Sequence, residues 1–444
     1  MRKKIILPIA CLFSGAFLLT AAVVQAEDLL QIYTLAVQHD AGLAVAGEKK
    51  AMGMEAVPQG LAALLPSSAL TMQHSAVQLH DPVSSRYNTD GYTLTLQMPV
   101  FHWENIKGYE KSKKEEKRAL VEYAASEQEL MMRSVKLYYD ALLAMDTQRL
   151  ALAEKESMAQ RLAYTKARLE VGTAVMTDLH DAQAAFDLAE TGVITAEDQR
   201  QARLEALGEV VGRPITELAP LKEEIPLIKP DPDAIDSWVQ TAQTDNLALK
   251  LAVLDREIAE SNAQAALAGH LPGVDLVAAH NYADNGDMPA AIGGGFSVRS
   301  DSLTVQMTVP LYAGQGVSSK VRQAKAAHSM TQEAEDLARR QVIRQTRDAY
   351  RGVVAAIAQI QATRQVLRSS QSSLEATEAG YEAGVRTMTD VVASQRELFR
   401  AKRDHAQSRY AYIQQSLGLK YVAGLLSAQD LQAINAWNRN GTRD

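Results

Sequence analysis

The strongest constraint on this chain is that it repeats itself. Three segments recur in the same order at an offset of 206 to 212 residues, so the fold must hold two copies of one unit. Leu65-Pro66 and Leu70 match Leu271-Pro272 and Leu276. Leu94 to Val100 matches Leu303 to Val309 at five of seven positions, and Gly172 to Asp178 matches Gly384 to Asp390 at four of seven. Between the copies, residues 214–232 hold five of the thirteen prolines, which bars regular helix and marks a join.

Each copy contains a stretch with the two-residue period of a strand. Tyr92, Leu94, Leu96 and Met98 face one way and Thr93, Thr95 and Gln97 the other. Leu303, Val305, Met307 and Val309 alternate with Thr304, Gln306 and Thr308 in the same manner. Their expected partners are Leu70 to Leu79 and Val274 to Tyr282, joined by polar loops at His80 to Gly91 and Ala283 to Gly295. From Glu104 to Val171 there is no proline and, before Val171, no glycine except Gly108. A helix of that length extends roughly 100 Å. Tyr123, Leu130, Leu137, Ala144 and Ala151 recur every seven residues, as do Ala124, Met131, Tyr138, Met145 and Leu152. Two adjacent seams imply neighbours on both sides, as in a bundle or a closed helical wall. Glycines end the first arms at the turns, Gly172 and Gly384, where a left-handed residue is needed.

Arg2, Lys3 and Lys4, an apolar run from Ile5 to Val24 and a small-residue end at Ala26 read as a signal peptide spanning 1–26. The only cysteine, Cys11, lies inside it, so the mature chain needs no thiol chemistry. Removal of three cations takes the formal charge from −7 to −10, which disfavours nucleic acid as a partner. The nine histidines show no His-Glu-x-x-His run and no zinc-ligand spacing. Gly293-Gly294-Gly295 lacks the Lys-Ser or Lys-Thr of a phosphate loop. No cofactor, metal site or catalytic residue is expected. Aromatic content of 5% suits long exposed helices better than a thick core.

Four alternating strands of about ten residues have the length to cross an outer membrane but cannot close a barrel. An open edge in lipid leaves backbone groups unsatisfied at several kcal/mol each, so other copies must complete the sheet; three copies give twelve strands. A soluble sheet bearing coiled-coil arms, as in a periplasmic adaptor or scaffold, alternates in the same way and stays open on this pattern.

The residues also resemble the TolC family of outer-membrane exit ducts over nearly the whole mature chain. The similarity rests on Glu27-Asp28-Leu29-Leu30-Gln31-Ile32-Tyr33, on Gly269-His270-Leu271-Pro272, and on Ser370 to Ala376. It continues through Glu378-Ala379-Gly380-Tyr381-Glu382-Ala383-Gly384-Val385-Arg386-Thr387-Met388-Thr389-Asp390-Val391-Val392. The resemblance implies an α+β membrane protein, a homotrimer with a 12-stranded outer-membrane β-barrel, four strands per chain. That barrel would continue into a 12-helix periplasmic α-barrel with a mixed equatorial domain. Residues 27–213 would be the first repeat of helix, β-hairpin and long helical hairpin, and 234–417 the second. The join at 214–233 and the C-terminal segment at 418–444 would supply the equatorial belt. It implies export of drugs or other toxic molecules, with secreted proteins as a further cargo. Partners would be a periplasmic adaptor, an inner-membrane pump of RND, ABC or MFS type, and outer-membrane lipid; dedicated type I protein secretion is the alternative.

The resemblance further implies a gate at the helical turns. Asp390 matches an acidic ring around the threefold axis, whose second aspartate is replaced by Ala393. Tyr381, Arg386, Glu378 and Arg409 match latch positions, with Thr177 and Asp178 as acceptors on the other hairpin. One family glutamine is replaced by Ala167. Replacing Tyr381 by Phe together with Arg386 by Ser is expected to raise conductance. Taken by themselves, Asp178 and Asp390 equally suit the first turn of a helix, where negative charge meets the positive end of the dipole.

Overall fold

A computed structural model describes residues 26–438 apart from 82, 83, 287, 289, 291 and 292. The basic and apolar start, with Cys11, lies outside the described residues. Three short helices, α1 (Leu29–His39), α2 (Ala41–Met54) and α3 (Ala56–Ala62), lead into β1 (Ser67–Leu79) and β2 (Ser85–Phe101). A long helical hairpin follows, α4 (Trp103–Glu170) and α5 (Met176–Val211). The second copy repeats the order: α6 (Ile235–Asp245), α7 (Leu247–Leu267), β3 (Gly273–Asp284), β4 (Ser297–Thr308), α8 (Gly316–Glu382) and α9 (Met388–Val422). α10 (Ala428–Asn435) closes the chain.

The two copies match closely in length. α4 and α8 have 68 and 67 residues, α5 and α9 have 36 and 35. α4 begins and ends within one residue of the helix expected from the proline-free stretch. Its exposed side is laced by spaced ion pairs such as Lys111–Glu115 at 3.2 Å and Arg118–Glu122 at 2.8 Å. Each adds a few tenths of a kcal/mol, so packing must supply most of the stability. Both expected seams contribute to it. Leu130, Ala144 and Ala151 of one and Tyr138 of the other are buried, whereas Leu152 is exposed.

The four strands form one antiparallel sheet in the order β1-β2-β3-β4. β2 starts at Ser85, so 85–91 belong to the strand and not to the expected loop. Tyr87 pairs with Val77 and Asp90 with His74, and this ladder overrides the turn preference of Asn88, Asp90 and Gly91. Register places Leu70, Leu94, His280 and Asp301 in one row and Met72, Tyr92, Tyr282 and Arg299 in the next, all on one face. Leu96, Met98, Leu303, Val305 and Met307 extend that face and are exposed. Polar residues entering it are partnered: His280 lies 2.6 Å from Asp301 and His74 2.6 Å from Asp90. The opposite face carries Thr71, Thr93, Thr95, Asn281, Ser300 and Thr304. From the Tyr92–Tyr282 ring pair, 5.4 Å apart, to Phe101 is about 30 Å of strand. At the usual tilt of about 40° this gives just over 20 Å of height, close to the ~25 Å apolar band of outer-membrane barrels.

The largest core lies midway along the long helices, where Tyr138, Tyr139, Tyr412, Ile413, Leu417 and Leu431 are buried. The join and the C-terminal helix wrap this region. Tyr138 Oη donates to the Ala219 carbonyl at 2.9 Å, Ile228 N donates to Tyr412 Oη at 2.7 Å, and Lys222 N donates to the Trp437 carbonyl at 2.9 Å.

Candidate functional site

At the end of the hairpins remote from the sheet, both turns are built alike. Gly172 (φ 74°) and Gly384 (φ 76°) are left-handed. Gly172 N donates to the Leu169 carbonyl at 3.0 Å and Thr173 N to that of Arg168 at 2.8 Å. Gly384 N and Val385 N donate to Tyr381 and Gly380 at 3.0 and 2.9 Å. Each turn is a Schellman motif, which uses up the last carbonyls of α4 and α8.

The return helices start differently. At α9, Thr387 and Asp390 form a reciprocal capping box. Asp390 N donates to Thr387 Oγ1 at 3.2 Å, and Asp390 Oδ2 accepts from Thr387 N at 3.0 Å and from Thr387 Oγ1 at 2.9 Å. These donors, the Thr387 backbone first, hold the Asp390 carboxyl below its ordinary value, with Arg386 adding to them. At α5 the N-cap position is Val175, so Asp178 has no hydroxyl to pair with. Both aspartates sit in the first turn of their helices, as expected for charge against the dipole, and Asp390 alone adds the reciprocal cap.

Tyr381 is 8% exposed and packs with Met158, Ala185, Met388, Val391 and Val392, residues of both hairpins. Burial pushes its hydroxyl up; Arg168 and Arg161 oppose that and Asp178 reinforces it, so Asp178 lies in its electrostatic reach. Among the described residues the hydroxyl makes no hydrogen bond to Thr177 or Asp178. Thr177 is exposed. Arg386 folds its stem back against Gly380, where a Cβ would sit 2.8 Å from Arg386 Cγ, and it forms no ion pair among the described residues. Arg409 lies 25 residues beyond Gly384, about 32 Å along α9 from its start at Met388, and donates to the Lys222 carbonyl of the join. It therefore braces the belt in this chain and does not meet the other latch residues.

Hairpin-to-hairpin links come partly from residues that sequence reasoning missed. Arg161 of α4 pairs with Glu378 of α8. Thr389 Oγ1 of α9 donates to Asp181 Oδ2 of α5 at 2.6 Å, one turn beyond the expected Thr177 and Asp178. Gln395 of α9 donates to Ser157 of α4. Arg403 reaches Glu154 at 3.2 Å, Tyr410 donates to Asp146 at 2.6 Å and Gln414 to Asp140 at 3.0 Å. These contacts descend one helix as they climb the other, so α4 and α9 run antiparallel along a polar seam. Beside it lies an open groove of about 700 Å³, floored by Ala189, Gly192 and Ala196 and edged by Arg396, Arg400 and Arg403.

Comparison with known proteins gives a consistent result. A family model described as outer membrane efflux protein matches residues 33–213 and again 238–425, one match per repeat. Outer membrane protein TolC of Vibrio cholerae is 31% identical over 96% of this chain and 97% of its own. The proteases secretion protein PrtF of Dickeya chrysanthemi is 28% identical over 98% of this chain and 95% of its own. Among solved structures, the outer membrane protein VceC of Vibrio cholerae superposes with a TM-score of 0.78 at 16% identity, covering 89% of this chain and 96% of that one.

Proposed function

The chain belongs to the outer membrane efflux protein family and is an outer-membrane export duct reaching into the periplasm; from that premise we propose that three copies close the barrel and the tunnel. The observation that carries this reading is the four-stranded sheet. It is apolar on one face, unclosed at β1 and β4, and set at one end of hairpins roughly 100 Å long. The soluble scaffold weighed from the alternation gives way to family membership.

In this assembly the turn end is the periplasmic mouth. The Asp390 carboxylates ring it, and Tyr381 and Glu378 keep the second hairpin against the first. Asp390 keeps one carboxylate oxygen, Oδ1, outside its cap, so the residue serves helix start and ring together. Family members work with inner-membrane pumps and adaptors, and the groove floored by small side chains suits the close approach of an adaptor helix. A pump of RND, ABC or MFS type would supply the energy.

Efflux of toxic small molecules is the primary reading, and the similarity to PrtF favours type I protein secretion as the second. A deletion strain tests both. Sensitivity to drugs and bile salts supports efflux, loss of particular secreted proteins supports secretion, and neither phenotype sinks the export reading.

A further inference from the structure

Tyr381 is one of the residues through which the second hairpin meets the first near the turns, yet its hydroxyl takes no hydrogen bond across the boundary among the described residues. What faces it is a cation. The Arg168 guanidinium, on α4 one turn before Gly172, lies 5.3 Å from the Tyr381 ring centroid and 5.8 Å from that of Tyr164. Both distances fall within the ~6 Å reach of a cation–π contact. The same guanidinium is tied to its own turn: Nη2 donates to the Thr173 carbonyl at 3.1 Å and Nε reaches Thr173 Oγ1 at 3.4 Å. Among the described residues no carboxylate comes within ion-pair distance of Arg168, so its charge is met by ring faces and a carbonyl.

We propose that Arg168 is a positioning residue of the mouth: braced on the Thr173 turn, it clamps the face of Tyr381 and so holds the two hairpins of one chain together. The inference rests on the export-duct reading and adds a residue and a contact type to it. Arg168 fits the task because its planar head satisfies carbonyl and ring at once, which an ammonium does less well. The buried position of Tyr381 strengthens the contact, since water is excluded from one side of the ring.

The clamp depends on the ring and not on its hydroxyl. In planar bilayers, Tyr381→Leu and Arg168→Gln should each raise single-channel conductance severalfold, and Tyr381→Phe should raise it less than Tyr381→Leu does. The Arg168→Gln and Tyr381→Leu pair should do no more than either change alone. A brace acting only within the first turn predicts instead that the two effects add in full, which would overturn the clamp, as would Phe behaving like Leu. Hydrogen exchange in detergent supplies a readout independent of conduction. Amides of α8 around Tyr381 should exchange faster in Arg168→Gln and Tyr381→Leu but not in Tyr381→Phe, with the belt unchanged. A parent protein that forms no channel would sink the duct reading, while the exchange pattern still decides the clamp.

Discussion

Arg161 and Glu378 form an ion pair that joins α4 to α8, with the arginine largely buried and the glutamate partly open to water. It links two residues 217 positions apart in sequence. Half-exposed pairs of this kind contribute about 0.5–1 kcal/mol, and three of them would act together in the proposed trimer. Arg161→Ala and Glu378→Ala should each raise conductance, and their effects should not add. Exchanging the two residues, Arg161→Glu with Glu378→Arg, should restore much of the parent value. Full additivity in the double-mutant cycle would exclude a direct coupling.

Asp390 allows cap and ring to be separated. Thr387→Val removes the reciprocal box and should cost about 1 kcal/mol of α9 stability, while leaving in place the carboxylates of the proposed ring, whose concentrated negative charge should make the mouth open to block by multivalent cations. Asp390→Ala should lose both. The pH dependence follows from the lowered folded value. The stabilisation is present above the ordinary value of 3.8 and is lost as pH falls through the folded value beneath it, so the cap persists at neutrality and fails only in strong acid. Cation block measured against pH, with helix content followed in parallel, checks both halves.

Gly384 faces open space, with nothing within 4 Å of where a Cβ would stand, so any penalty for Gly384→Ala comes from its φ of 76° alone. About 1–2 kcal/mol per chain is expected, seen as a lower denaturation midpoint. Gly418→Ala near the end of α9, equally uncrowded but without a positive φ, should be neutral or stabilising.

Tyr412 supports the belt in a different manner. Its hydroxyl accepts from Ile228 N at 2.7 Å within the largest core, and Tyr412→Phe leaves that donor unmet. A loss of about 1–3 kcal/mol is expected. The thermal midpoint of the assembled protein should fall while conductance at moderate temperature stays at the parent value.

The two faces of the sheet should respond oppositely to charge. Leu96→Arg, on the apolar face, should cost about 2–4 kcal/mol near the bilayer midplane and reduce recovery in outer-membrane fractions. Thr95→Arg, one residue away on the polar face, should insert normally and shift ion selectivity towards anions. Equal recovery of both would reverse the assignment of faces.

Much of the frame was legible because it is periodic. The absence of proline over 68 residues dictated α4, the glycines placed both turns, and strict alternation identified the second strand of each pair. β2 was read short because Asn88, Asp90 and Gly91 favour turns locally, a preference that thirteen paired positions with β1 outweigh. Contacts between hairpins were the least legible. Whether Arg161, Arg168 or Asp181 meets a partner depends on the rotational phase of helices about 200 residues apart, and an arginine on an exposed heptad position carries no mark of its partner. Arg409 shows the converse: a position matched through resemblance is turned by this chain's own packing towards Lys222.

The belt around Tyr138 lies 34 residues from Gly172, about 51 Å along a helix without a proline to bend it. Such an arm is a lever with its fulcrum at the belt. A tilt there of only about 5° sweeps the far end through about 4 Å, more than the reach of a hydrogen bond or ion pair. A small tilt at the join, far above the mouth, is therefore amplified into a displacement that parts the links nearest the turns, while those beside the belt, at Asp146 and Asp140, barely move.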